Sequence, residues 1–300
     1  MNNKRVLITG ASGMMGRALA EDLARDNEVV GVARFQDGAV RQRLEAKGVR
    51  CIPFDLRTDD VGRLPSDLDV FFHLAVHWGN DARESMAANA FALGHLIEHM
   101  KNLEQFVVGS TVAVYVGACR DDIKETSPAV PGGVYGTTKL VGDALATFLA
   151  EVRQVPAAIL RYWFPYCNDP GVPNDYYQGL VRRLEAGDPF VLPDDDSGCQ
   201  QPLFIDDLVR ISVDALNFTS TEPFVLNVAG PQRLLLSQVV STMAQVFQIE
   251  PKIEHAPPSQ CNLLSGSYDL TKLGQTCGHG RVNFREGMER LKANWGRKSS

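Results

Sequence analysis

A glycine-rich turn near the start of the chain restricts its fold more than any other feature. The turn consists of Thr9, Gly10, Ala11, Ser12, Gly13, Met14, Met15 and Gly16. It joins a predicted strand over 5–9 to a predicted helix over 16–25. In this context the first glycine permits a tight turn, the second lets the backbone approach a pyrophosphate, and the third lets the helix pack closely on the strand. Free N–H groups at the helix start attract phosphate. The turn therefore predicts a dinucleotide-binding unit.

The following residues continue the alternation of strand and helix that the turn begins. Short β-rich runs predict strands over 28–33, 49–53, 69–74, 106–109 and 157–162, and periodic patterns predict helices over 41–47, 85–101 and 135–153. Strands separated by helices of this length indicate βαβ crossovers and a parallel sheet with helices on both faces. The predicted fold class is α/β, a Rossmann doubly wound parallel sheet.

The rhythm changes in the second half of the chain, where prolines mark loops. A helix over 176–186, a strand over 224–228 and a helix over 236–248 are the clearest elements there. We expect a Rossmann domain over 1–165, to which 200–230 returns. We expect a smaller, interleaved substrate-binding lobe over 166–199 and 231–300.

Charge and composition exclude several classes of function. The net charge of −6 argues against a protein that grips nucleic acid. No apolar run approaches the roughly 20 residues that span a bilayer, and the N-terminus lacks a signal-peptide pattern, so no membrane association and a cytoplasmic location are expected. The six cysteines, among them Cys119, show no CxxC pair and are expected to be free thiols. Cys277-Gly-His279 lacks a second ligand pair, and no metal is expected.

The end of the second predicted strand bears on the choice of cofactor. NAD-binding folds usually place an acid there to hold the ribose hydroxyls, but Ala33 and then Arg34 follow this strand. Arg34 suits a 2′-phosphate, so NADP is favoured over NAD. The alternative is that Arg34 is an ordinary surface arginine and that the ribose site does not distinguish the two cofactors. Asp55-Leu56, after the third strand, are candidates to meet the adenine edge, although Asp55 is equally typical of a loop.

Three residues form the candidate catalytic set. Tyr135 and Lys139 are four residues apart at the start of a predicted helix and so share one face. An adjacent ammonium lowers the pKa of a tyrosine, which can then exchange a proton with a carbonyl or hydroxyl group while hydride moves to or from nicotinamide. The spacing alone is a weak signal. Thr111 follows the strand over 106–109 at the carboxyl edge, where ligands bind in such sheets.

The chain resembles an extended short-chain dehydrogenase/reductase of the NAD-dependent epimerase/dehydratase family over nearly its whole length. The residues that carry the resemblance are the turn over 9–16, Asp55-Leu56, His73-Leu74-Ala75, Asn89, Gly109-Ser110-Thr111 with Val114-Tyr115, Tyr135-Gly-Thr-Thr-Lys139, Leu160-Arg161-Tyr162, the segment over 204–208, and Asn227-Val228-Ala229-Gly230. Together these motifs are highly specific for the fold.

The resemblance implies a role for each matched residue. Thr111 would hydrogen-bond the substrate oxygen, Tyr135 would be the acid/base, and Lys139 would also hold the nicotinamide ribose. His73 and Asn89 are expected to be structural or to line the cofactor. The full set of expected cofactor contacts is Gly10, Ser12, Gly13, Met14, Met15, Gly16, Arg34, Asp55, Leu56, Leu74, Ala75, Asn89, Tyr135, Lys139, Tyr162 and Phe164. The expected substrate contacts are Thr111, Val112, Trp163, Tyr166 and Tyr176.

Departures from the family pattern narrow the expected substrate. Trp163-Phe164-Pro165 stands where nucleotide-sugar members often carry Asn, and Gln200-Gln201 where they often carry Arg-Asp. Val112-Ala113 follows Thr111 in place of the Asp-Glu pair of sugar dehydratases, which disfavours elimination. Arginines that clamp a phosphate are not obvious, although Arg182, Arg183 or Arg233 would serve. Aromatic residues, Tyr177 among them, are expected either to line an apolar pocket or to be core.

The leading hypothesis is an NAD(P)-dependent reductase or dehydrogenase that acts on a carbonyl or hydroxyl carbon of a small organic substrate. The alternative is a sugar epimerase that uses the same cofactor transiently. A third hypothesis is a non-catalytic protein that senses the NADP ratio, which the intact Thr111, Tyr135 and Lys139 set disfavours. The resemblance also implies a homodimer formed through the helices over 85–101 and 135–153.

Overall fold

The computed structural model describes residues 1–117, 121–170, 172 and 175–296. In chain order the strands are β1 (Arg5–Thr9), β2 (Glu28–Ala33), β3 (Arg50–Pro53), β4 (Val70–His73), β5 (Gln105–Thr111), β6 (Ala157–Tyr162), β7 (Pro165–Tyr166), β8 (Phe190–Pro193), β9 (Cys199–Gln200), β10 (Leu203–Phe204), β11 (Phe224–Val228), β12 (Leu234–Leu235) and β13 (Ile253–Ala256). The α-helices are α1 (Met14–Leu23), α2 (Gly38–Ala46), α3 (Ala82–Met86), α4 (Ala92–His99), α5 (Gly133–Arg153), α6 (Tyr176–Ala186), α7 (Ile205–Asp214), α8 (Leu236–Phe247), α9 (Thr271–Gln275) and α10 (Phe284–Asn294).

A seven-stranded sheet in the order β11-β6-β5-β4-β1-β2-β3 forms the centre of the fold. The neighbours from β6 to β3 pair in parallel, and β4 is buried along its whole length, as a strand covered on both faces must be. The order of the strands reverses between β1 and β4, and the register sets Thr9 beside His73 at the carboxyl end of that pair. Ligands bind at such a switch point. The predicted Rossmann sheet is confirmed.

The chain divides by its internal contacts into two compact units. Among the described residues, the first contains 1–117, 125–162 and 209–226, and the second contains 121–124, 163–170, 172, 175–208 and 227–296. The segment that returns to the first unit is thus shorter than the predicted 200–230, and the excursion over 121–124 has no counterpart in the sequence-based division. The second unit holds three two-stranded pairs, β10 with β7, β12 with β9, and β13 with β8.

The predicted continuous helix over 85–101 is wrong, because a π-helical segment interrupts it. In the structure α3 ends at Met86, a π-helical turn covers Ala87–Phe91, and α4 begins at Ala92. Asn89, in the centre of this turn, is buried and hydrogen-bonds outside its own helix. Single π-turns are frequent at functional sites.

Two further features of the chain concern its thiols and its helices. None of the five described cysteines forms a disulfide with another, while Cys119 lies outside the described residues. Within the described parts of the chain, no helix combines the length and apolar character needed to cross a membrane.

Candidate active site

The glycine turn forms a cradle whose shape only glycine permits. Gly10 has φ of +74°, and a Cβ there would lie 2.8 Å from the backbone of Ala75. A Cβ on Gly16 would overlap the carbonyl oxygen of Gly10. The N–H of Gly13 donates to that same carbonyl at 2.9 Å, which closes the turn. The three glycines thus have the roles that the sequence assigned to them in shaping the backbone.

The start of α1 fits a pyrophosphate group. Gly13 is the N-cap of this ten-residue helix and has no side chain to cap it, so no N-cap side chain satisfies the N–H groups of the first turn. Gly13 is exposed, while Ser12, Met14 and Met15 are half-buried around it. An uncapped helix N-terminus behind a glycine turn suits the phosphates of a nicotinamide dinucleotide. Contacts of Ser12, Met14 and Met15 with the cofactor stay predictions.

The adenosine end of the expected site contains more ionic structure than the sequence suggested. Arg34 is exposed directly after β2, and its charge contributes to lowering the pKa of Asp55. The guanidinium of Arg57 holds the carboxylate of Asp55 at 2.9 and 2.7 Å and is the main cause of a pKa of about 2. This carboxylate is therefore already paired, and Leu56 beside it is half-buried; the adenine contact of Asp55 and Leu56 stays a prediction.

His73 lies at the carboxyl end of β4, under the loop that contains Leu74 and Ala75. Its Nδ1 is 3.0 Å from the Thr9 hydroxyl, which also accepts the N–H of Ala75 at 3.3 Å. Complete burial lowers the pKa of His73 to about 3, so the imidazole is neutral at physiological pH. These contacts give His73 a structural position between β1 and β4.

Asn89 ties the loop after β4 to α5. Its Oδ1 accepts the N–H of His77 at 2.7 Å, and its Nδ2 donates to the carbonyl of His77 at 3.2 Å and to the Thr138 hydroxyl at 3.0 Å. The side chain is therefore committed to positioning the loop and the helix. A direct contact of Asn89 with the cofactor stays a prediction that its side-chain bonds do not favour.

The structure brings Thr111, Tyr135 and Lys139 together at the carboxyl edge of the sheet. Thr111 is the last residue of β5, and its hydroxyl lies close enough to the phenol of Tyr135 to lower the pKa of that phenol. Lys139, one helical turn after Tyr135 in α5, is 3% exposed. The Thr111 hydroxyl also caps the short 3₁₀ turn Val112–Val114 by accepting the N–H of Ala113 at 3.2 Å. Three residues that the sequence separates by up to 28 positions thus form one cluster.

The pKa values of Tyr135 and Lys139 differ from those that the sequence suggested. Burial raises the pKa of Tyr135 to about 12, against a smaller lowering by the Thr111 hydroxyl. Burial also lowers the pKa of Lys139 to about 8. The pKa of Tyr135 is therefore raised in the protein alone, where the sequence predicted that the adjacent ammonium would lower it, because burial is the largest of the effects on the phenol. At neutral pH the phenol is protonated.

A buried ion pair behind Lys139 was missed by the sequence analysis. Asp143 lies one turn beyond Lys139, and its Oδ2 accepts the Nε of Arg161 at 3.0 Å. Arg161 also contacts the hydroxyl of Tyr115 and lies over its ring. The negative charge of Asp143 raises the pKa of both Tyr135 and Lys139. The available signal was an acid at helical spacing from Lys139 and an arginine inside a buried strand.

Trp78 is a second residue that sequence reasoning missed. It lies in the loop between β4 and α3, and its indole stacks on the ring of Tyr135 with centroids 4.1 Å apart and planes 29° apart. The side chain is 61% exposed. Trp78 lies in a loop, where side chains follow neither helical nor strand periodicity, so the sequence pattern gave no signal for its position.

Several residues of the first unit that are predicted to contact cofactor or substrate are buried or half-buried in the protein. The Tyr162 hydroxyl pairs with the Ser212 hydroxyl at 2.8 Å, and the side chain is 4% exposed. Val112 is also buried, while Leu74 and Ala75 are half-buried in the loop after β4. Their contacts with cofactor or substrate stay predictions.

The aromatic residues of the second unit divide into core and partly accessible side chains. Tyr166 is fully buried and packs edge-on against Tyr177 and Phe204, so its position is that of a core residue. Trp163 is buried as well, whereas Phe164 and Tyr176 are half-buried. The ring centroids of Phe164 and Tyr176 are 5.0 Å apart. The substrate contacts predicted for Trp163 and Tyr176 stay predictions.

The three candidate phosphate-binding arginines each have protein partners. Arg182 donates to the carbonyl of Pro170 at 3.2 Å, and Arg183 donates to the carbonyl of Pro189 at 2.8 Å. Arg233 donates to the carboxylate of Asp122 at 2.7 Å. Arg233 is bound by acids, while the other two contact neutral carbonyls.

Comparison with known proteins gives a consistent result along the chain. A profile of the NAD dependent epimerase/dehydratase family matches residues 6–229. The chain is 27% identical over 260 residues to a Bacillus subtilis (strain 168) protein named uncharacterized UDP-glucose epimerase YtcB, covering 81% of this chain and 82% of that protein. It is 24% identical over 312 residues to the UDP-N-acetyl-alpha-D-glucosaminuronate decarboxylase of Bacillus cytotoxicus, covering 95% and 96%.

A solved structure shares the whole fold. The UDP-glucuronic acid 4-epimerase from Bacillus cereus, in complex with NAD, superimposes with a TM-score of 0.84 over 99% of both chains at 24% identity. The family profile covers the glycine turn, α1, the strand β5 that ends at Thr111 and the helix α5 that contains Tyr135.

Proposed function

The chain belongs to the NAD-dependent epimerase/dehydratase family, and from that premise we propose that it epimerises a hydroxyl carbon of a nucleotide-linked sugar. Membership of this family makes it an enzyme with an oxidoreductase-type site. The observation that carries the proposal is the placement of Thr111, at the end of β5, close enough to Tyr135 to lower its pKa, with Lys139 one turn further along α5, on the sheet edge that also bears the glycine turn.

The relatives support a sugar as the substrate. The two curated relatives described above are named for enzymes of UDP-linked sugars, and each matches more than four-fifths of this chain. The proposal that this chain acts on such a compound rests on those names together with the cluster of Thr111, Tyr135 and Lys139.

The chain's own residues supply proton transfer and orientation. A bound dinucleotide supplies the hydride acceptor and, when oxidised, a positive charge that lowers the pKa of a nearby phenol. The Tyr135 oxygen then takes the proton of the substrate hydroxyl as that carbon is oxidised, and it returns the proton when the carbonyl is reduced. The Thr111 hydroxyl lowers the pKa of the Tyr135 phenol, and in this proposal the Lys139 ammonium, one helical turn away, adds to that effect in the loaded enzyme.

A net reductase is the second candidate, and the resting ionisation of Tyr135 favours it. With a pKa of about 12, the phenol is protonated at neutral pH and ready to donate to a substrate carbonyl. An epimerase returns its hydride to the same molecule, whereas a reductase consumes external reduced cofactor.

The experiment follows both outcomes at once. The purified protein is incubated with a panel of UDP-hexoses that includes UDP-glucose, with NAD or NADP, while ¹H NMR follows the sugar configuration and absorbance at 340 nm follows the cofactor. Epimerisation predicts a new sugar signal without a net change in absorbance. A stoichiometric change in absorbance would instead establish the reductase or dehydrogenase reading, and the absence of both reactions would overturn the proposal.

Tyr135→Phe is the control for the assignment of the acid/base. Loss of a positioned general acid/base is expected to lower turnover by about 100-fold to 10,000-fold. Retained turnover in this variant would remove Tyr135 from the mechanism and reopen the non-catalytic hypothesis.

The choice between NAD and NADP is a finer proposal. Arg34 follows β2 where NAD-binding folds usually carry an acid, and this is the basis for favouring NADP. The solved relative is described with NAD and gives NADP no support. The NADP preference thus rests on Arg34 alone.

A further inference from the structure

Trp78 occupies an unusual position for a large apolar side chain. One face of its indole stacks on the ring of Tyr135, and 61% of the side chain is exposed. Tryptophan is mostly buried in folded proteins because its surface is largely apolar. An exposed indole in contact with the proposed acid/base therefore presents a free aromatic face beside the reacting group.

The backbone on both sides of Trp78 is held in place. His77 is bonded through its N–H and its carbonyl to Asn89, at 2.7 and 3.2 Å. The carbonyl of Gly79 accepts the hydroxyl of Ser85, which is fully buried, at 3.2 Å. Since neighbours in the π-turn and in α3 fix the loop at these two points, the position of the indole is built into the fold.

The indole forms one wall of a cleft of about 380 Å³. Gly132 and Gly133 also line this cleft, with backbone only, and Asn80 and Tyr135 contribute polar side chains to it. None of the described residues that line it carries a formal charge. The volume lies within the range of small-ligand sites, and the lining suits a neutral ring with hydroxyl groups better than a phosphate.

We propose that Trp78 is a platform for the sugar ring of the substrate and determines how that ring meets Tyr135. The proposal rests on the proposed function. A pyranose ring carries C–H groups on its faces and hydroxyl groups around its edge. Its face can rest on the free face of the indole, which is turned away from Tyr135, with the sugar extending past the edge of the indole so that a hydroxyl on that side meets the Tyr135 phenol. The nucleotide part of the substrate makes no use of Trp78 under this proposal.

The test compares binding of UDP-glucose with binding of UDP to the NAD-loaded enzyme by calorimetry. Trp78→Ala is expected to weaken UDP-glucose about tenfold and to leave UDP within about twofold, because tenfold corresponds to about 1.4 kcal/mol, which is within the range of an aromatic contact. Trp78→Phe, which keeps a smaller platform, is expected to lose about threefold or less. Phe218→Ala is the matched control, because Phe218 is another partly exposed aromatic, stacked on Phe224 in the same unit, and is expected to change neither affinity.

A second readout separates ring recognition from a structural role. UDP-glucose is expected to change tryptophan emission in the wild-type enzyme, UDP is not, and the change is expected to vanish in Trp78→Phe. Equal weakening of UDP and UDP-glucose by Trp78→Ala would overturn the platform, and so would unchanged binding of UDP-glucose. If either result is found although the wild-type enzyme converts a UDP-hexose, the role proposed for Trp78 is wrong and the proposed function stands. If no UDP-hexose binds or reacts, the proposed function fails with it.

Discussion

Asp143 shows how a residue outside direct reach of substrate sets the ionisation of the candidate catalytic pair. Its carboxylate is buried, paired with Arg161 at 3.0 Å, and one turn from Lys139. Its negative charge raises the pKa of Lys139 and of Tyr135, while burial acts in opposite directions on the two groups. Asp143 therefore favours the charged form of Lys139 and, at the same time, makes the Tyr135 phenol a weaker acid.

Asp143→Asn is expected to move the pH profile of alcohol oxidation. Removing the negative charge lowers the pKa of Tyr135, and the uncompensated charge of Arg161 lowers it further. Oxidation needs the deprotonated phenol, so the acid limb of kcat/KM against pH should move down by about one unit. Breaking a buried pair also destabilises the fold by about 3 kcal/mol, so the assay is run well below the melting temperature.

The matched control for this variant is Asp214→Asn. Asp214 forms an ion pair of the same length, 3.0 Å, with Arg210, but it is 41% exposed and lies in α7. Its loss should leave the acid limb in place. An acid limb that stays fixed in Asp143→Asn, or that moves to higher pH, would contradict the role given to Asp143.

Arg34→Ala tests the preference for NADP. If the guanidinium holds a 2′-phosphate, its removal should weaken NADP by about tenfold to 100-fold, since a charge-assisted bond contributes roughly 1.5–3 kcal/mol. NAD, which lacks that phosphate, should bind within about twofold of wild type. Titration of both cofactors by fluorescence measures the ratio, and equal weakening of the two would refute the preference.

At the scale of elements, the junction of α5 with the π-turn determines where Lys139 lies. A Cβ on Gly142 of α5 would come within 2.8 Å of the carbonyl oxygen of Asn89. This close approach lets Asn89 reach Thr138 while its other bonds hold the loop at His77. A single glycine thus connects the packing of two helices to the loop that carries Trp78.

Gly142→Ala and Gly94→Ala are expected to change stability in opposite directions. Alanine at 142 collides with backbone and should lower the free energy of unfolding by about 2 kcal/mol. Gly94, in the neighbouring α4, has only the end of the Leu145 side chain nearby, at 3.7 Å, so alanine there should stabilise by roughly 0.5–1 kcal/mol. Urea unfolding followed by circular dichroism measures both, and a stabilised Gly142→Ala would disprove the close packing.

The same elements show what the sequence can and cannot predict. Strands β1, β2 and β6 match their predicted bounds because each is a short apolar run with clear limits, and the glycine turn is local chemistry. The π-turn escaped prediction because its cause is the bonding of Asn89 to His77 and to Thr138, which is 49 residues away. The helical periodicity over 85–101 does not depend on those contacts and so cannot predict them.

The candidate site divides along the same line. Tyr135 and Lys139 are recognisable because their spacing in one helix is itself the signal. The stacking of Trp78 on Tyr135 and the pairing of Asp143 with Arg161 join residues that come together only when β4, β5, β6 and α5 are assembled. The raised pKa of Tyr135 also depends on burial that spacing does not reveal.

At the scale of the whole molecule, apolar side chains stand exposed on adjacent helices. Phe148 and Val152 of α5 lie one turn apart, and Phe91 precedes α4; all three are more than half exposed. Large apolar residues grouped on one face are typical of a protein interface. We propose that two copies of the chain pair through this face, as the resemblance to the family implies, with α4 and α5 of each copy forming a helix bundle.

Light scattering during size-exclusion chromatography tests this assembly. The wild type should have twice the chain mass of 32.9 kDa, because the exposed side chains of the α4 and α5 face are buried when two copies meet. Phe148→Glu would place two unpaired charges in that contact and should yield a monomer that keeps its circular dichroism spectrum. Ile253→Glu, at an exposed apolar position in β13 of the second unit, should leave the dimer intact. A monomeric wild type, or a Phe148→Glu variant that stays dimeric, would exclude this face as the interface.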